Sequence, residues 1–114
     1  MAAKWLGAHM PTSKGLGGAV RMGKEIGCTA IQVFTSSPQM WRAKPVTDKA
    51  IIDFKGAQHE TGIDMVVSHD SYLVNLCAPD PEMREKSMNS LKGEIERCSL
   101  YGIPYTVSHI GAHL

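Results

Sequence analysis

Long apolar runs are missing from this chain. None approaches the ~20 residues that a membrane-spanning helix needs, so a transmembrane class is excluded. Cysteine is scarce: Cys28, Cys77 and Cys98 are odd in number, far apart and never in a Cys-x-x-Cys spacing. That speaks against a disulfide framework and against a cysteine zinc cage, and it points to a reducing, cytoplasmic location. An excess of one charge is missing too. Twelve Lys and Arg stand against 11 Asp and Glu, a formal charge of +1, so contact with a nucleic acid has to come from a local patch rather than a basic coat. The opening residues, Met1-Ala2-Ala3-Lys4-Trp5, lack the roughly 7–15-residue apolar stretch of a secretory signal. What remains is 114 residues, 43% apolar and 20% charged. This composition fits one globular domain that buries about two thirds of its unfolded surface without staples.

Four short apolar segments alternate with three helical patterns. Trp5-Leu6-Gly7-Ala8 leads to His9. Gly15, Gly17 and Gly18 then lead into a helix with Leu16, Ala19, Val20, Gly23 and Ile26 at helical spacing, and Gly27 stands where a left-handed cap belongs. A β-branched run follows over residues 29–34. Residues 36–46, with two prolines and two serines, read as a loop. Thr47-Asp48 caps a helix carrying Ile51, Phe54 and Ala57 and stopped by Gly62. Residues 63–67 form a third strand, running into Ser68-His69-Asp70. Asp80-Pro81 opens the third helix, because Asp caps and Pro at the first helical position loses no needed hydrogen bond. Its expected inner face is Met88, Leu91, Ile95 and Cys98, with Met83 and Met88 as core filler, and Gly102 ends it. Residues 105–108 make the fourth strand.

A βα-βα-βα-β order predicts a parallel sheet with right-handed crossovers, since parallel neighbours need a long connection and a helix supplies it. Two architectures fit: an open doubly wound sheet, or the first half of a (β/α)8 barrel. The glycines at 15–18 lack the G-x-G-x-x-G spacing of a dinucleotide fold. His9, Thr35, His69 and His109 each fall at the carboxyl end of a strand, and in a barrel those ends share the rim that carries active sites. The barrel is therefore expected, truncated after its fourth strand, with residues 1–114 as its amino-terminal part.

Imidazole is the commonest metal ligand near neutral pH. His69 and His109, on neighbouring strands, have the placement to hold one zinc ion between them. Capping of each strand end by hydrogen bonding is the alternative, and no third ligand is obvious. His109 and His113 flank Gly111 and do not form the helical H-E-x-x-H motif. Tyr72-Leu73 follows His69 on the same rim; the pair has the character of a wedge for a base stack, or else of simple packing. In the 36–44 loop, Gln39, Met40, Trp41, Arg42 and Lys44 mix aromatic and basic groups that suit a nucleic-acid backbone, although a loop Trp also serves as an anchor.

Leu6-Gly7-Ala8-His9, Gln32-Val33-Phe34-Thr35 with Trp41 after it, the block from His69-Asp70-Ser71-Tyr72-Leu73 to Leu76, and His109 to Leu114 around Gly111 together resemble endonuclease IV. This is the zinc-dependent apurinic/apyrimidinic endonuclease family with the xylose-isomerase-like barrel, and only its amino-terminal portion is matched. The resemblance implies a hydrolase of DNA base-excision repair that cuts duplex DNA on the 5′ side of an abasic site with a metal-activated hydroxide. It implies three zinc ions in the complete enzyme and at most one partial site here. His69 and His109 match two ligands of one zinc. Tyr72 and Leu73 match a loop that enters the helix, Gln39 and Trp41 fall in the DNA-facing loop, and His9 lies on the site floor. No catalytic residue beyond the metal ligands is implied within these residues, so the chain alone is expected to be inactive. Ser37, Gln39 and Met40 depart from the Asn, Arg and Gln common in that loop, and Ile110 replaces a proline. Self-association through free sheet edges is expected as well. Two other readings remain: a sugar isomerase or epimerase of the same barrel superfamily, and a non-catalytic half-barrel remnant.

Overall fold

The computed structural model describes residues 4–113; Leu114, quoted in the motif above, lies outside them. The order is β1 (Gly7–His9), α1 (Gly15–Glu25), β2 (Ala30–Phe34), α2 (Asp48–Thr61), β3 (Met65–His69), α3 (Pro81–Tyr101) and β4 (Tyr105–Val107). The strands pair in parallel in the order β1-β2-β3-β4. A doubly wound sheet reverses its strand order at a switch point; this sheet does not. Sequential order with the core on one side is barrel geometry, as expected.

The caps sit where the side chains dictate. Thr47 Oγ1 accepts from the Ala50 amide at 3.1 Å, and Asp80 Oδ1 accepts from the Glu82 amide at 3.3 Å. Gly62 and Gly102 end α2 and α3 at φ +76°, a left-handed conformation that costs an L side chain energy. Gly7 serves a different need. β1 lies so close to β2 that a Cβ there would stand 1.7 Å from the Ala30 carbonyl oxygen.

Alternation divides the sheet into two faces. Ile31, Val33 and Val66 point to the helices and join Leu16, Ala19, Val20, Phe54, Ala57, Cys98, Tyr101 and Ile103 in one core. Phe54 is fully buried, and its ring meets Tyr101 edge-on at 5.5 Å. Ala30, Gln32, Phe34, Val67 and His69 occupy the other, partly exposed face. Cys28, Cys77 and Cys98 are free thiols.

The expected face of α3 holds at Cys98, which is buried, and in part at Leu91, but not at Met88 and Ile95. Met88 and Ile95 are exposed, as is Met83, while Ser87, Glu94, Cys98 and Tyr101 are buried. The helix carries two candidate stripes, and hydrogen bonding selects the more polar one. Ser87 Oγ accepts from the Asn75 amide at 2.9 Å, Cys98 Sγ donates to Ser68 Oγ at 3.1 Å, and Glu94 finds partners at the end of β2. Ile26 is likewise exposed, because α1 ends one residue earlier and Ile26 has already left its apolar stripe. β3 begins at Met65, two residues later than expected.

Truncating Phe54 to Ala should lower unfolding free energy by about 3–5 kcal/mol, the usual cost of an aromatic cavity. Thr47→Ala should cost about 1 kcal/mol through the lost cap. Urea titrations followed by circular dichroism would measure both.

Candidate functional site

Register decides what meets at the carboxyl rim. Phe34 pairs with His69, and His69 with Val107. Two residues past Val107, on the same face, stands His109. Its ring lies 5.1 Å from that of His69, centroid to centroid, with the planes at 40°. Phe34 fills the other side, 4.5 Å from His9 and 5.5 Å from His69. One row of rings, His9–Phe34–His69–His109, therefore crosses all four strands. The sequence pointed to the histidines but not to Phe34, whose apolar character gave no chemical signal.

Hydrogen bonds give the imidazoles different characters. His69 Nδ1 donates to the Asp70 carbonyl at 2.8 Å, which leaves the Nε2 lone pair free. A ligating histidine is usually held this way, with its other nitrogen anchored on a carbonyl. Gln32 Nε2 donates to His9 Nδ1 at 2.9 Å. The ring proton of His9 then sits on Nε2, which makes that nitrogen a donor. Partial desolvation of this otherwise exposed ring pushes the His9 pKa below its ordinary 6.5, and the neighbouring His69 charge adds to the effect. Asp70 itself is 2% exposed. It accepts from Ser108 Oγ, and its amide donates to the Val107 carbonyl at 3.0 Å, tying the ends of β3 and β4 together. Among the described residues, no group of three or more His, Cys, Asp or Glu comes together in a way that could hold a metal ion. Two imidazoles with a free ring nitrogen fit part of a tetrahedral zinc set and no more.

The rim loops are tied to one another. The Tyr72 amide and Ser71 Oγ both donate to the Pro38 carbonyl, at 3.0 and 2.7 Å. The Tyr72 ring is 66% exposed and leans edge-on against Phe34 at 5.2 Å. Leu73 is half-buried. Gln39 is exposed beside Pro38, whereas Trp41 is half-buried, with the Lys86 ammonium of α3 6.0 Å from its ring centroid. The chain after β4 is held by Asn75, whose Oδ1 accepts from the Cys77 and Ala112 amides and whose Nδ2 donates to the Ala112 carbonyl, each at 3.1 Å. Gly111, at φ +108°, passes so close that a Cβ would stand 2.0 Å from Asn75 Oδ1. Asn75 was in plain view between Tyr72 and Leu76, but an amide in a turn announces no long-range partner.

The sequence profile of the family described as "Xylose isomerase-like TIM barrel" matches residues 20–114. Similar proteins include one named "Probable endonuclease 4" from Chloroflexus aurantiacus, 44% identical over 107 residues that make up 94% of this chain and 38% of that protein. Proteins of the same name from Geobacter sulfurreducens and Methanoculleus marisnigri are 41% and 39% identical, over 96% and 95% of this chain and 37% and 38% of theirs. A solved structure described as endonuclease IV from Thermus thermophilus superposes with a TM-score of 0.84 at 36% identity, covering 93% of this chain and 39% of that one. The chain thus spans well under half the length of the relatives it matches.

A proton NMR titration of the histidine ring signals should put the His9 midpoint below 6.5. His69→Gln should move it part of the way back up, because it removes the like charge and leaves the burial in place. An unchanged midpoint in that variant would contradict the coupling.

Proposed function

Because this chain belongs to the xylose isomerase-like TIM barrel family, we propose that its rim forms the amino-terminal part of an abasic-site endonuclease of the endonuclease IV type. The substrate is duplex DNA with an abasic site, and the reaction is hydrolysis of the phosphodiester on its 5′ side. The observation that carries this reading is the His69–His109 pair, with His69 anchored on a backbone carbonyl, set beside an exposed Tyr72.

His69 and His109 would hold one zinc ion through their free ring nitrogens, with further ligands from elsewhere in the complete enzyme. Such an ion, when bound, offsets phosphate charge and lowers the pKa of a bound water. The chain's own groups do the rest. Asp70, through its carbonyl, keeps the His69 ring in the ligating tautomer. His9 carries an N–H on Nε2, which can donate to a phosphate oxygen. Tyr72 stands out from the rim on a loop fixed at Pro38, placed to press into a duplex where a base is missing, with the half-buried Leu73 next to it in the chain. Gln39 adds an exposed, uncharged donor on the neighbouring loop, and Trp41 lies on the same loop with the Lys86 ammonium 6.0 Å from its ring. A protruding aromatic loop has no use in a small-sugar pocket, which favours the nuclease reading over an isomerase.

Fluorescence anisotropy with labelled duplexes tests the reading. The chain should bind a duplex containing a single tetrahydrofuran abasic analogue more tightly than the intact duplex. Tyr72→Ala should weaken that binding about tenfold, the loss of one stacking contact of roughly 1–3 kcal/mol. Equal affinity for both duplexes would sink the reading. Cobalt(II) added as a spectroscopic stand-in for zinc should give an absorption band that His69→Ala and His109→Ala each abolish. The 114 residues alone, given excess zinc, should not cut the strand, because two imidazoles leave no defined position for an activated water.

A further inference from the structure

Glu94 and Arg97 of α3 form a buried ion pair that none of the chemistry above uses. Arg97 Nη2 and Glu94 Oε2 are 2.7 Å apart, with side chains 15% and 3% exposed. A desolvated pair of this kind is seldom a net source of stability, since well-packed apolar groups would serve as well. Its geometry points elsewhere. Thr35 Oγ1, directly after β2, donates to Glu94 Oε2 at 2.6 Å, 59 positions away in the chain. Arg97 Nε donates to the same Thr35 oxygen at 3.1 Å, and its Nη2 donates to Ser36 Oγ at 3.2 Å. Both hydroxyls that open the β2–α2 loop are thus gripped by one ion pair from the helix layer. Charge-assisted hydrogen bonds of this sort are short and directional, so they set position as well as energy.

The same loop is held at a second point, since the Pro38 carbonyl accepts from Ser71 and Tyr72. Between and beyond these two points lie Ser37 and Gln39–Lys44, the exposed and half-exposed part of the rim. We propose that Glu94 and Arg97 are positioning residues for the rim: they hold Thr35 and Ser36 so that the 37–42 segment, and through Pro38 the Tyr72 loop, are set before DNA arrives. The DNA part of this inference rests on the function proposed above; the pin itself does not. Pre-ordering of a contact loop raises affinity by sparing the ordering cost at binding.

Thr35→Val is the cleanest variant, because it keeps the volume and the Glu94–Arg97 pair and removes only the tie to the strand end. The double variant Glu94→Gln with Arg97→Gln removes both charges together and leaves no buried charge unpaired. Hydrogen exchange of the whole chain, read by mass spectrometry without DNA, should show the Met40 and Tyr72 amides, which donate to the Ser37 and Pro38 carbonyls, exchanging at least about tenfold faster in both variants, with β2 and β3 amides unchanged. Affinity for the abasic-analogue duplex should fall about tenfold, the scale of one lost charge-assisted contact. The cobalt(II) band at His69 and His109 should stay as in the parent chain, a readout that general loosening of the fold would not spare. Unchanged exchange at Met40 and Tyr72 in Thr35→Val overturns the proposal, as does acceleration spread equally through β2 and β3. A faster loop with no loss of duplex affinity also overturns it. A faster loop in a chain whose parent never prefers the abasic duplex upholds the pin and overturns the DNA reading.

Discussion

Parallel pairing between strands that follow one another in the chain leaves no short way back. Every connection must cross the sheet as a helix, and every strand must end at the same edge. That constraint explains why residues as distant as His9 and His109 belong to one row of rings. It also separates the tasks of the two faces. Ile31, Val33 and Val66 turn toward the helices and hold the fold, while Phe34 and His69, one residue away from buried neighbours, face the open side of the sheet. A slip of one residue in register would exchange those faces and bury the imidazoles among apolar groups.

The polar groups beneath the rim serve that register. Asp70 binds the ends of β3 and β4 to each other, Asn75 holds the chain that carries His109 and His113, and the Glu94–Arg97 pair reaches Thr35 at the end of β2. Each joins neighbouring elements near their carboxyl ends. Buried polar groups in such positions need partners with good geometry, which restricts the loops to few arrangements. This accounts for a long third helix that turns Ser87 and Glu94 inward.

Much of the fold was legible before any coordinates. The caps at Thr47 and Asp80 and the stops at Gly62 and Gly102 are local signals, and they mark the helix ends because their physics involves only a few consecutive residues. The placement of His9 and His69 at strand ends, and of His109 just past β4, was legible for the same reason. The inner face of α3 was not, since its periodicity allows two stripes and only partners on β2, β3 and the Asn75 loop choose between them. Trp41 was legible as a loop residue, but its place beside Lys86 of α3 depends on the packed structure.

Local backbone preference and apolar spacing therefore determined the elements, their order and the histidines at or just past the strand ends, because each of those follows from residues within a few positions of one another. Tertiary structure alone decided that the rings of His69 and His109 stand 5.1 Å apart, that Phe34 separates His9 from them, and that Thr35 answers to an ion pair 59 and 62 positions away. Those are consequences of strand register and helix rotation, which only the packed sheet and its buried hydrogen bonds select.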